Sequence, residues 1–293
     1  MSTTTLKLIA LVTMLIDHIG FFIPNTPEWL RYIGRLSAPI FLFCAVIGYT
    51  NTKDKKKYLI RIYTFSVFMG FIDAFILLNI NYIRTIFMTI MIIFLIDCYK
   101  NHNPYAKKYI FTFILWEIII GFLCTLCYTM EEIPTLPTNI EIIIIPLFIV
   151  PLFLNYGFPF VLLGICMYFA DSKKKLSISY IVITLSIMFF QNTDFLHRVS
   201  LKISRIAITT NNDLLKEVQT MFEFFSNGFL DIEVRFLENN LWYTAQWLMI
   251  FSLPVLLLYN GKKGKGLKYF FYIMYPLNIV LFYYIGVSMG NTF

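Results

Sequence analysis

The chain has 293 residues, 58% of them hydrophobic and 14% charged, with 24 Lys and Arg against 17 Asp and Glu for a net charge of +7. A soluble domain carries about a quarter charged residues, and disordered chains are poor in aromatics, whereas this chain has 31 Phe and 19 Tyr. A soluble globule, a disordered chain and a rod are excluded, and long unbroken apolar runs argue for an all-α polytopic integral membrane bundle rather than a barrel of alternating strands.

A spanning helix needs about 20 mostly apolar residues. The first such run is 6–23, stopped by Pro24 and Pro27, and the second is 36–50. The compact basic loop Lys53 to Lys57 follows, then runs at 58–80 and 82–99. Lys100, Lys107 and Lys108 precede the run 109–130, and Glu131, Glu132, Pro134 and Pro137 close it. The stretch 140–170 is apolar but holds Pro146, Pro151, Gly157 and Pro159, which predicts a broken or re-entrant segment with irregular backbone lining a cavity. Lys173 to Lys175 lead into the run 176–190. The polar stretch 191–240 comes next, and the runs 241–259 and 267–289, joined by GKKGKG, end the chain.

The reading is one transmembrane domain, 1–293, with about nine spans. Basic loops between spans stay in the cytoplasm. One parity puts Lys53–Lys57, Lys107–Lys108, Lys173–Lys175 and Lys262–Lys265 inside, with the N-terminus inside and 191–240 as an extracytoplasmic insertion. Within it Leu214, Leu215, Val218, Met221, Phe222 and Phe225 recur at helical spacing, as an interfacial helix or a lid over an acceptor site. The cations therefore orient the chain in its bilayer, and no nucleic acid is expected. Five Cys lie in apolar runs, Cys124 and Cys127 as C-x-x-C, with no further ligands to complete a metal site. The first run lacks a small-residue cleavage site and reads as a retained span.

Asp17 and His18 sit side by side inside the first run, where ionisable groups are costly and mark function. Adjacent helix positions point about 100° apart, so each needs its own partner. His18 is the candidate general base if the chemistry needs an imidazole. Arg31 and Arg35 flank the second run, as interfacial anchors, as partners of Asp17 or as an anion clamp. Arg61 and Arg84 are near-membrane cations, balanced by Asp73, Asp97 and Glu117. Tyr275, Pro276 and Asn278 place a kink and a polar amide in the last run.

The series LKLIALVTMLIDHIG, LRYIGRLSAPIFLF, a basic loop and KKYLIRI resembles the TraX family, named for a protein that acetylates the N-terminus of conjugative pilin. Asp17, His18, Gly34, Arg35, Pro39 and Phe41 match its opening signature, and the tail from Gln246 through LLLYNGKKGKGLKYFFYIMYPLN is similar to its end. The family usually has a His in the last span, where this chain has Asn278, and an Asn opening the fourth, where it has Thr85. The resemblance implies a bacterial inner-membrane acetyltransferase that moves an acetyl group from cytosolic acetyl-CoA to an amine or hydroxyl of a peptide or cell-envelope glycan. His18 would be the base and Asp17 would set the local charge. Arg35, Lys56, Lys57 and Arg61 would hold the donor, and Arg31, Arg84, Tyr275 and Asn278 would border the acceptor. The alternative is a non-enzymatic membrane protein, a transporter or an immunity or assembly factor, in which Asp17 and His18 form a proton-relay or structural pair.

Overall fold

The structure, a computed structural model, describes residues 1–76, 78, 80–131, 157–193, 195–210, 214–216, 218, 219, 222 and 245–291. Helix α1 (Thr3–Phe22) starts on Ser2, whose hydroxyl accepts from the Thr5 amide. The second run folds as α3 (Ser37–Thr50), and a short helix that the run did not include, α2 (Trp29–Gly34), precedes it across a break at Arg35 and Leu36. Helices α4 (Lys55–Ile76) and α5 (Tyr82–Lys100) follow, the latter capped by Asn81. Next come α6 (Ala106–Glu131), α7 (Phe158–Phe169), α8 (Lys173–Asn192) and α9 (Phe195–Thr209). A 3-10 turn (Ala245–Ser252) runs into the short α10 (Leu253–Leu257), and α11 (Lys268–Ser288) closes the bundle with Pro276 inside it.

The described residues contain helices and no strand, so the all-α membrane bundle stands. Among the described residues, five segments are long and apolar enough to cross a membrane: Thr3–Phe22, Trp29–Thr50, Lys55–Ile76, Tyr82–Lys100 and Tyr269–Ser288. Shorter apolar helices cover Phe158–Phe169 and Ala245–Leu257. With α6 and α8, helix lies over at least part of every predicted run.

Helix α1 packs against α2, α3 and α11, while α5 joins α4 to α7 and α7 leans on α3 and α8. One apolar cluster centres on Leu6, Ile40, Met88, Ile90 and Leu163. A second gathers Leu11, Met14, Phe22, Tyr275 and Ile279 where α1 meets α11. Phe111, Ile114, Ile118 and Phe122 of α6 stay exposed, an apolar surface that fits a lipid bilayer. Buried charge is paired, as burial demands. Asp73 meets Arg84 at 3.2 Å, both under 10% exposed, and joins α4 to α5. Asp97 accepts from the Tyr49 and Tyr168 hydroxyls at 2.9 and 2.5 Å, tying α5 to α3 and α7.

Two sequence expectations fall largely on other ground. The proline-rich stretch lies outside the described residues up to 156, and regular helix begins at Phe158, with Pro159 in the first turn where its missing N–H costs little. The 214–225 helix lies mostly outside them too. The amphipathic helix that the structure does describe is α9. It buries Ser200 and Ala207 and exposes Arg198, Lys202 and Arg205.

Candidate functional site

His18 lies about 22 Å along α1 from Thr3 at 1.5 Å per residue. Its Nδ1 faces the Oδ1 of Asn278 on α11, and its ring meets Phe22 edge to face at 5.8 Å. Asn278 is buried and spends its amide nitrogen on the Met274 carbonyl at 2.6 Å. That leaves Oδ1 as acceptor, so His18 Nδ1 donates to it, and in the neutral imidazole Nε2 keeps the lone pair. Asn278 thus selects the tautomer and holds the ring.

Asp17 turns the other way, onto α2. Its Oδ2 pairs with Arg31 Nη1 at 2.9 Å, and the same nitrogen donates to the Asp17 carbonyl at 3.3 Å. The Arg31 guanidinium also lies 4.8 Å over the Phe21 ring. The pair forms because α1 and α2 touch at Gly34, where a Cβ would stand 2.2 Å from the Asp17 side chain. Asp17 Oδ1 is buried without a hydrogen-bond partner among the described residues. Arg35 is swung away by the break after α2 and donates to Gln246 Oε1 of the 3-10 turn at 3.2 Å.

A cavity of about 600 Å³ opens between α1, α3, α4 and α11 and the 261–266 loop. Volumes of 300–1,000 Å³ are usual for small-molecule sites. Thr3, Lys7, Leu11 and Met14 line it along α1, and Phe271 and Tyr275 along α11. These stripes advance by three or four residues, one helix face each. His18 is the next position on the first stripe, and Asn278 on the second. The pair therefore sits one turn beyond the cavity's end. The helix-face spacing of Lys7, Leu11, Met14 and His18 is the sequence signal by which Lys7 and the cavity wall are legible.

The remaining predicted residues divide. Arg61 and Tyr275 line the cavity. The Tyr275 hydroxyl is engaged: it accepts from the Tyr82 amide at 3.2 Å and donates to the Ile80 carbonyl at 3.4 Å. Lys56 donates to the Tyr109 hydroxyl at 2.8 Å and Lys57 pairs with Asp54 at 3.4 Å, so neither joins the cavity wall. Arg84 is held by Asp73. Cys44 is a buried free thiol on the cavity wall, and Cys98 and Cys166 are also free. The side chains of Cys124 and Cys127 lie outside the described residues.

A family profile described as "TraX protein" matches residues 2–286. Two curated relatives are similar over shorter stretches. A probable fimbrial assembly protein FimC, serogroup H1, from Dichelobacter nodosus is 34% identical over 70 residues, covering 22% of this chain and 29% of the relative. An uncharacterized protein of Rickettsia prowazekii (strain Madrid E) is 38% identical over 82 residues, covering 26% of this chain and 32% of the relative. The chain thus spans about a third of the length of the curated relatives it matches. No solved structure matches.

Proposed function

The chain belongs to the TraX family, and on that premise we propose that it is an integral membrane acyltransferase carrying an acetyl group from acetyl-CoA to an amine or hydroxyl of a peptide or cell-envelope glycan. The observation that carries this reading is the pair of helix stripes that lead from a 600 Å³ cavity to His18 and Asn278. A thioester lying in the cavity would bring its carbonyl within a turn of the His18 ring.

His18 Nε2 takes the proton from the acceptor nitrogen or oxygen as that atom attacks the thioester carbonyl carbon. The new C–N or C–O bond forms, the C–S bond breaks, and the CoA thiolate leaves with the proton from the His18 imidazolium. Asn278 keeps the ring oriented through both transfers. The Asp17–Arg31 pair fixes α1 against α2 and holds a carboxylate beside the reacting region. Asn278 supplies by a neutral amide the orientation that a second imidazole would give.

The name of the fimbrial assembly relative supports a pilus-associated role, and the family resemblance favours a peptide N-terminus as the acceptor. The alternation of basic loops supports a cytoplasmic membrane location with the N-terminus inside, so that the donor enters from the cytosol. The test is transfer of radiolabelled acetyl from acetyl-CoA to a peptide with a free N-terminus, using membranes that hold the protein. Label in the peptide, absent when its N-terminus is already blocked, supports the reading. No transfer to any amine or hydroxyl, together with no retention of CoA, favours the non-enzymatic class instead.

A further inference from the structure

Four cations border the cavity: Lys7 of α1, Arg61 of α4, and Lys263 and Lys265 of the loop before α11. Among the described residues none of the four pairs with a carboxylate. The acids near them are engaged elsewhere, Asp17 with Arg31, Asp54 with Lys57, Asp73 with Arg84 and Asp97 with two tyrosines. Lys7 and Arg61 lean on aromatic rings instead, Phe271 at 5.6 Å and Tyr58 at 5.0 Å. Rings orient a cation without cancelling its charge. Like charges gathered around a concave, low-dielectric wall repel one another and attract an anion.

The loop is fastened, not a free basic tail. The Thr3 and Thr4 amides donate to the Lys262 and Lys263 carbonyls at 2.9 and 3.2 Å. The Thr4 hydroxyl donates to the Lys265 carbonyl at 2.6 Å. These bonds use the first amides of α1 and engage the loop carbonyls. Lys263 and Lys265, two residues apart, border the cavity. The close approach needs glycine at 264, which has φ of 75° and whose Cβ would stand 2.5 Å from the Ser2 hydroxyl.

We propose that Lys7, Arg61, Lys263 and Lys265 form a binding site for a ligand bearing at least two phosphates. One phosphate dianion would leave about half of this charge unmatched, whereas a diphosphate with a further phosphate nearby balances it. Arg61 offers a planar fork and the lysines point charges, a combination that suits several phosphates at different distances. On the acyl-transfer reading the ligand is the nucleotide end of the donor thioester. A lipid headgroup with two phosphodiesters at the membrane surface offers two phosphates to the same cations at half of that charge.

The test uses purified protein in nanodiscs of zwitterionic lipid, with inorganic pyrophosphate, CoA and dephospho-CoA as calorimetric probes. Saturable binding of pyrophosphate and CoA is expected, weaker for dephospho-CoA and weaker as salt rises. The double variant K263Q/K265Q should lose roughly tenfold or more in affinity, while K56Q/K57Q should bind as the unsubstituted protein does. In a second arm the nanodiscs contain cardiolipin. If cardiolipin binds, K263Q/K265Q weakens it and CoA binds under no condition, the site stands with a lipid as its source. The proposal is overturned if pyrophosphate, CoA and cardiolipin all fail to bind, or if K56Q/K57Q weakens binding as much as K263Q/K265Q does. Acetyl transfer is measured alongside. Phosphate binding without transfer keeps this site and rejects the acyl-transfer reading. Transfer unaffected by K263Q/K265Q, with the binding of every probe unchanged as well, keeps that reading and rejects this site.

Discussion

Replacing Gly34 by Ala tests the contact on which the Asp17 side of the site is built. An added Cβ would stand 2.2 Å from Asp17 Cβ and Oδ1 and 2.3 Å from its Cγ, where ordinary contacts begin at 3.4 Å. Helices α1 and α2 must then part by more than about 1 Å, because the neighbouring atoms are the stem of a side chain and not its flexible end. Overpacking of this kind costs about 1–3 kcal/mol. The separation also stretches the 2.9 Å Asp17–Arg31 pair, whose side chains are 19% and 27% exposed. At about 2–4 °C per kcal/mol for a chain of this size, the thermal midpoint in detergent should fall by roughly 2–12 °C. Gly34→Ser should fall at least as far, since it adds the same Cβ. A midpoint for Gly34→Ala within 1 °C or so of the unsubstituted protein would refute the close approach.

Arg84→Met should destabilise by about 3–5 kcal/mol, because it leaves Asp73 buried without its counter-charge, and Asp73→Asn added to it should recover part of that loss in the same melt. Melting unchanged by Arg84→Met would remove the pair from the folding account. Asn278→Leu should slow acetyl transfer by about tenfold or more, a part of what a positioned base supplies, with CoA retained as before. Equal transfer would free His18 from any need for that amide. A cysteine placed at the exposed Lys53, in a background without the native thiols, should resist an impermeant maleimide in intact cells and react after permeabilisation. Labelling in intact cells would invert the orientation.

Much of the fold was legible because apolar length alone marks a membrane helix. The runs at 6–23, 36–50, 58–80 and 82–99 became α1, α3, α4 and α5, whereas the six-residue α2 before Arg35 is too short for apolar length to mark. Helix α9 was not, since Arg198, Lys202 and Arg205 dilute its apolar face and make the run read as polar loop. In the candidate site Asp17 and His18 stood out as charge inside an apolar run. Their partners depend on tertiary detail. Arg31 and Arg35 are four residues apart, and only the break after Gly34 sends one to Asp17 and the other to Gln246. Lysine runs report topology, not which lysine meets a cavity. Lys56 and Lys57 turn to Tyr109 and Asp54, whereas Lys263 and Lys265 reach the cavity because their loop is stitched to Thr3 and Thr4 some 260 residues earlier.

The acyl-transfer account rests on His18 as the group that moves the proton. The most direct measurement is radiolabelled acetyl transfer by His18→Ala in membranes, at expression matched to the unsubstituted protein and with CoA binding recorded on the same preparation. The account predicts CoA binding within about twofold of the unsubstituted protein and transfer reduced by about 10²–10⁴-fold. Transfer at the unsubstituted rate would contradict it.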